Sequence, residues 1–153
     1  MTLCIRSRRA LARRTSGGLK PSGYICLGVL LLAISLRAQT PTTKDGVYSR
    51  PQAERAKALW TKTCSSCHTL GDLSTSTKGP ALSGDTFLAK WNGKSVFELA
   101  DGIQKTMPND FSMELTAAQA TDATALILQM NGFPAGDKEL AAGDTQKSIT
   151  IIK

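Results

Sequence analysis

An all-α domain of about four helices is what this sequence predicts, and three observations carry the prediction. Helix-start signatures recur: Ser49–Gln52, Ser95–Glu98 and Thr116–Gln119 each place a hydroxyl residue three positions before Glu or Gln, the capping-box pattern. Apolar residues after those starts fall at spacings of three and four, the period of a helix with one buried stripe. Strand-like alternation is confined to 149–152, and no internal repeat or low-complexity domain is present.

Residues 1–38 read as a signal peptide rather than as part of the fold. Arg6, Arg8, Arg9, Arg13, Arg14 and Lys20 form a basic start, and 25–36 is apolar apart from Gly28 and Ser35. That run is about a dozen residues, against the roughly 20 a membrane-spanning helix needs. Cleavage is expected after Ser35 or after Ala38, leaving no stable span; the alternative is an uncleaved tether. Cys4 and Cys26 would leave with the segment.

The formal charge of +7 comes from the same segment, which holds seven of the 19 basic residues and none of the 12 acidic ones. From Gln39 onward twelve basic and twelve acidic residues balance. With no basic face and no aromatic interleaving, nucleic-acid binding is excluded.

Residues 39–48 are polar, with Pro41 and three threonines, and read as a flexible arm. Ser49 then caps a helix that tolerates Pro51 in its first turn and aligns Ala53, Ala56, Leu59, Trp60, Thr63 and Cys64 on one face. After a polar loop over 71–79, Gly79-Pro80-Ala81-Leu82-Ser83-Gly84 is irregular and bounded by glycines, a segment whose backbone can approach another group closely. Asp85 is the expected cap of a short helix over 86–91, and Ser95 opens another through about Gln104. Met107 precedes Pro108 and so belongs in extended backbone. The last helix carries Ala120, Ala123, Leu126, Ile127 and Met130 and stops at Asn131-Gly132. Residues 136–153 form a mostly polar tail whose alternating end lies against the body. The domain proper is placed at 49–135. At roughly 85 to 115 residues, a covalent cofactor would be a substantial part of its core.

The chemistry is concentrated in Cys64-Ser65-Ser66-Cys67-His68, a C-x-x-C-H run that contains the chain's one histidine. This is the attachment pattern of a c-type haem. On a helical turn the sulfurs face one side at i and i+3, with the imidazole at i+4. Two thiols can then add to the haem vinyl groups while His68 coordinates the iron. A zinc site lacks a fourth ligand of the usual kind. A redox dithiol wants its first cysteine at a helix start, whereas here a helix runs into Cys64 from upstream. A Cys64–Cys67 disulfide is the remaining structural alternative.

With no second histidine, a sixth iron ligand must come from Met107, Met113, Met130 or a lysine. Met130 lies on the stripe of the last helix and reads as core packing. Met113, after Phe111-Ser112 in a loop, is the rival. Met107 is favoured because it precedes Pro108 and leaves enough chain after His68 for helices to wrap the cofactor.

These features together resemble a class I monohaem cytochrome c over residues 47–136. The resemblance rests on Ala58-Leu59-Trp60 ahead of the motif, Gly79-Pro80-Ala81-Leu82, Phe87-Leu88 with Trp91, Ser95-Val96, Thr106-Met107-Pro108, and Leu128-Gln129-Met130-Asn131-Gly132-Phe133-Pro134. It implies the class I fold around one haem c per chain, with thioethers from Cys64 and Cys67 and axial ligands His68 and Met107. It further implies that the Pro80 carbonyl accepts a hydrogen bond from the other His68 nitrogen, and that Leu82 and Trp91 line the pocket. The run from Leu128 to Gly136 is similar to small exported cytochromes found with quinoprotein dehydrogenases and haem-copper oxidases, which implies redox partner proteins of those kinds. Ala56 stands where relatives usually carry glycine, and Leu126 where they carry an aromatic, so a slightly different spacing of first and last helices is expected.

The expected function is a periplasmic electron carrier rather than an enzyme, its iron cycling between Fe(II) and Fe(III). A haem enzyme or small-ligand sensor with a labile sixth ligand is the alternative; a distal acid-base histidine would favour it, and the sequence has none.

Overall fold

A first helix, α1 (Arg50–Leu59), starts where Ser49, in extended backbone, accepts a hydrogen bond from the Gln52 amide. The structure, a computed structural model, describes residues 39–68 and 78–153. The expectations for 1–38 and for most of the 71–79 loop lie outside the described residues. Three further α-helices follow: α2 (Gly84–Trp91), α3 (Val96–Thr106) and α4 (Ala117–Met130). Short 3-10 turns at Thr43–Asp45 and Asp144–Ser148 flank them. Among the described residues there is no strand, only isolated bridges. The fold is all-α, as expected.

Helix α4 is the axis of the core, packing against both α1 and α3. Ala123 through Leu128 are all buried, as befits a helix covered on most sides. From α1 come Ala53 and Ala56, from the residue just after it Trp60, from α2 Phe87, and from α3 Val96 and Leu99. Ala56 and Leu126 both sit in this core. Ser95–Glu98 and Thr116–Gln119 are complete capping boxes, each hydroxyl accepting from the N3 amide and each N3 side chain accepting from the cap amide.

Three local expectations are corrected. Gln52 does not return to the Ser49 amide. Its side chain is buried and pairs twice with Leu140, donating to the carbonyl at 2.9 Å and accepting from the amide at 2.8 Å. The distant segment offers the side chain two buried backbone groups, a donor and an acceptor, where the cap offers one donor. Asp85 is not a cap; the helix begins two residues earlier than expected, at Gly84 with Ser83 at the cap position, and the Asp85 carboxylate meets the Lys153 ammonium at 2.8 Å. Segment 39–48 is not a loose arm either: Thr43 and Tyr48 are buried, and the Tyr48 hydroxyl donates to the Phe133 carbonyl at 2.7 Å.

The chain's last residues complete the body. Ile149 and Ile151 are buried, and Thr150 lies between Thr42 on one side and Ser95 on the other. The Thr43 amide donates to the Thr150 carbonyl (3.0 Å), Val96 to Ile149 (2.9 Å), and Ile151 to Lys94 (2.8 Å). Gly136 approaches Gly46 so closely that a Cβ would run into the Gly46 carbonyl.

Candidate functional site

Helix α1 does not end cleanly at Leu59 but widens into a π-helical turn, Trp60–Cys64. Turns of this kind recur at functional sites because the extra residue redirects the side chains that follow. The Ser65 amide donates to the Trp60 carbonyl (3.0 Å), then Cys67 and His68 both donate to the Cys64 carbonyl (3.1 and 2.9 Å). Cys64 through His68 thus curl into one turn, as the spacing requires. Ser65 and Ser66 fill its edge, their hydroxyls donating to the Thr61 and Thr63 carbonyls at 2.9 and 3.4 Å.

Cys64 and Cys67 are not joined in a disulfide. Cys64 is half-buried against the core, and burial pushes its thiol up from the ordinary value, the reverse of what a reactive thiolate needs. Cys67 is exposed. Among the described residues no three His, Cys, Asp or Glu side chains converge as a metal-binding group.

His68 is buried and lies 6.5 Å from Trp60, ring centroid to ring centroid. Its Nδ1 is 2.9 Å from the Pro80 carbonyl oxygen. A carbonyl can only accept, so Nδ1 is the donor, which makes Nε2 the ring nitrogen that would offer a lone pair to a metal. The 79–84 segment reaches this ring as its glycines suggested: a Cβ on Gly79 would stand 2.6 Å from His68 Cε1. The same segment is held from behind by Asn131, whose amide donates to the Leu82 carbonyl (2.9 Å) and whose oxygen accepts from Gly84 (3.1 Å). Sequence reasoning took Asn131 for a helix stop alone; nothing local in the sequence signals its second role.

Leu82 and Trp91 pack, with Cys64, around the edge of one core cluster. Trp91 also lies 6.1 Å from Phe87, with the Lys94 ammonium 5.1 Å from its centroid. Met107 ends α3 in extended backbone (φ −123°, ψ 142°) and is half-buried. No hydrogen bond or ring contact joins it to the motif turn among the described residues. Met113 does touch that turn, its sulfur accepting from Thr63 Oγ1 at 3.4 Å. Met130 packs against the core. A depression lined by Phe97, Ala100, Gln104, Thr121 and Gln146 among others includes none of these site residues.

The donor set fits a c-type haem: two thiols uncommitted to each other on one turn, and a histidine whose far nitrogen is protonated and anchored. Comparison with protein families matches residues 51–127, half of the chain, to the family described as "Cytochrome C oxidase, cbb3-type, subunit III". No curated protein and no solved structure matches. The matched stretch runs from the first turn of α1 through the motif and Met107 into α4, so the chain belongs to this family and is an electron-transfer c-type cytochrome with covalently bound haem c.

Proposed function

We propose that the chain is a class I monohaem cytochrome, exported by residues 1–38 to the periplasm, with His68 and Met107 as axial ligands and no substrate bound at iron. Bound haem supplies a one-electron Fe(II)/Fe(III) couple. Cys64 and Cys67 hold it to the chain, and the Pro80 carbonyl orients His68 and raises the basicity of the coordinating nitrogen. Leu82 and Trp91 exclude water beside Cys64. A soft thioether from Met107 favours Fe(II) and raises the potential relative to two histidines. The observation that carries this reading is the His68–Pro80 contact at 2.9 Å, which serves a metal ligand better than it serves a core histidine. The partners are redox proteins. The family's description names a cbb3-type oxidase subunit, which supports a terminal oxidase as the acceptor, with a dehydrogenase such as a quinoprotein on the donor side. Among the described residues no helix is long and apolar enough to cross a membrane.

The test is optical. Oxidised holoprotein is expected to show the weak long-wavelength sulfur-to-iron band, and reduced protein to bind carbon monoxide poorly. Met107→Ala should abolish the band and open the iron to carbon monoxide. A high-spin wild type that binds the gas readily would instead establish the enzyme or sensor reading.

A further inference from the structure

The loop that carries Met107 joins α3 to α4, and most of what shapes it is local. The Phe111 amide donates to the Pro108 carbonyl (3.0 Å) and the Ser112 amide to the Asp110 carboxylate (3.1 Å), so these bonds close the loop on itself. Its midpoint is poorly suited to stand alone. Phe111 occupies the left-handed region (φ 54°), rare for an aromatic, and its ring is 79% exposed, so no packing offsets the strain.

Of the hydrogen bonds made by residues 108–115 among the described residues, one leaves the loop, the bond from Thr63 to Met113. The behaviour of neighbouring hydroxyls makes it informative. Thr61 and Ser65 donate back to carbonyls of their own helix, at Lys57 (3.0 Å) and Thr61 (2.9 Å). Such back-bonding is the default for a helical threonine. Thr63, between them and next to Cys64, turns outward to a thioether instead, though sulfur is the weaker acceptor. The cost is justified if the bond holds something in place.

We propose that Thr63 and Met113 are positioning residues, forming a strap that ties the α3–α4 loop to the haem-bearing turn and so keeps the Met107 sulfur at its post. The proposal rests on the His68/Met107 reading above. Without the strap the loop opens more often, and an external ligand that needs the open form gains affinity in proportion to the open fraction. Loss of one neutral hydrogen bond corresponds to about a fivefold change in such an equilibrium.

Oxidised holoprotein is therefore titrated with imidazole in wild type, Thr63→Val, Thr63→Ser and Met113→Leu. Thr63→Val keeps the shape and removes the donor, Thr63→Ser restores it, and Met113→Leu removes the acceptor from the other side. Imidazole should bind about fivefold more tightly to Thr63→Val and to Met113→Leu, and with nearly wild-type affinity to Thr63→Ser. Before imidazole is added, the sulfur-to-iron band should persist in all three. Thermal melts identify a variant that fails to fold, in which case the other side of the bond is read. Unchanged imidazole affinity in folded Thr63→Val or Met113→Leu overturns the strap. Loss of the band in Met113→Leu with retention in Met107→Ala overturns the ligand assignment instead, a distinguishable failure.

Discussion

Gly79 shows how little room the His68 ring leaves around it. In Gly79→Ala the new methyl would stand 2.6 Å from Cε1 and 2.8 Å from Nδ1, so either the ring or the Pro80 segment must shift. Overpacking of this kind costs about 1–3 kcal/mol. The expected outcome is a lowered melting temperature and less haem per chain, read by pyridine haemochrome assay; full incorporation with unchanged melting would show that the segment yields freely. Phe111 offers the opposite experiment. Asparagine tolerates left-handed backbone, and little buried area is lost with an exposed ring, so Phe111→Asn should stabilise by about 1 kcal/mol in denaturant titration. At this scale the sequence was legible where chemistry is written in adjacent residues. Cys64, Cys67 and His68 are such a group, and the glycine before Pro80 is another. It was silent on Thr63–Met113 and on Asn131–Leu82, whose partners stand 50 and 49 positions apart.

The helices show the same division between local and distant causes. Ser95 with Glu98 and Thr116 with Gln119 were readable because cap and partner lie within one turn. Ser49 with Gln52 has the same spelling and a different outcome, because Leu140, 88 positions away, offers the glutamine a better pair of partners. Replacing Gln52 by leucine should therefore cost more than a cap: it strands a buried amide and carbonyl at Leu140, about 1–3 kcal/mol each. A drop in urea midpoint no larger than that of Ser49→Ala would contradict this.

Acid response belongs to the element scale too. The Ser95 amide and hydroxyl hold the Glu98 carboxyl below its ordinary value of 4.5. A carboxyl lowered in the fold stabilises it fully above the unfolded value, and that contribution fades as pH falls through the folded one. Glu98→Gln should accordingly flatten the decline in melting temperature below about pH 4.5.

Across the whole molecule, the four-helix architecture was foreseeable and the integration of its ends was not. Segments 39–48 and 136–153 look polar in isolation, yet they bury Thr43, Tyr48, Leu140, Gln146, Ile149 and Ile151. The physical reason is that they complete each other: Thr43 binds Thr150, Tyr48 binds Gly136, and the Ile152 amide donates to Thr43 Oγ1. Alternation at 149–152 was a visible hint, because a period of two buries every other residue. Its partners, at residues 41–43 and 93–96, lie more than fifty positions upstream and were not visible. Ile151, fully buried, should cost about 2–4 kcal/mol when cut to alanine. The check is the urea midpoint of holo Ile151→Ala; a midpoint equal to wild type would show that the tail adds nothing to the core.

That pairing of residues 42–43 with 150 has a topological corollary: within the unit Gln39–Lys153 the two extremities are neighbours, so this unit is almost a closed ring. A few glycines and serines could join Lys153 to Gln39, and new ends could be cut between the exposed Asp137 and Lys138. Such a circular permutant should refold with native helicity, and it would place every haem-binding residue on the uninterrupted stretch between the old closure and the new cut.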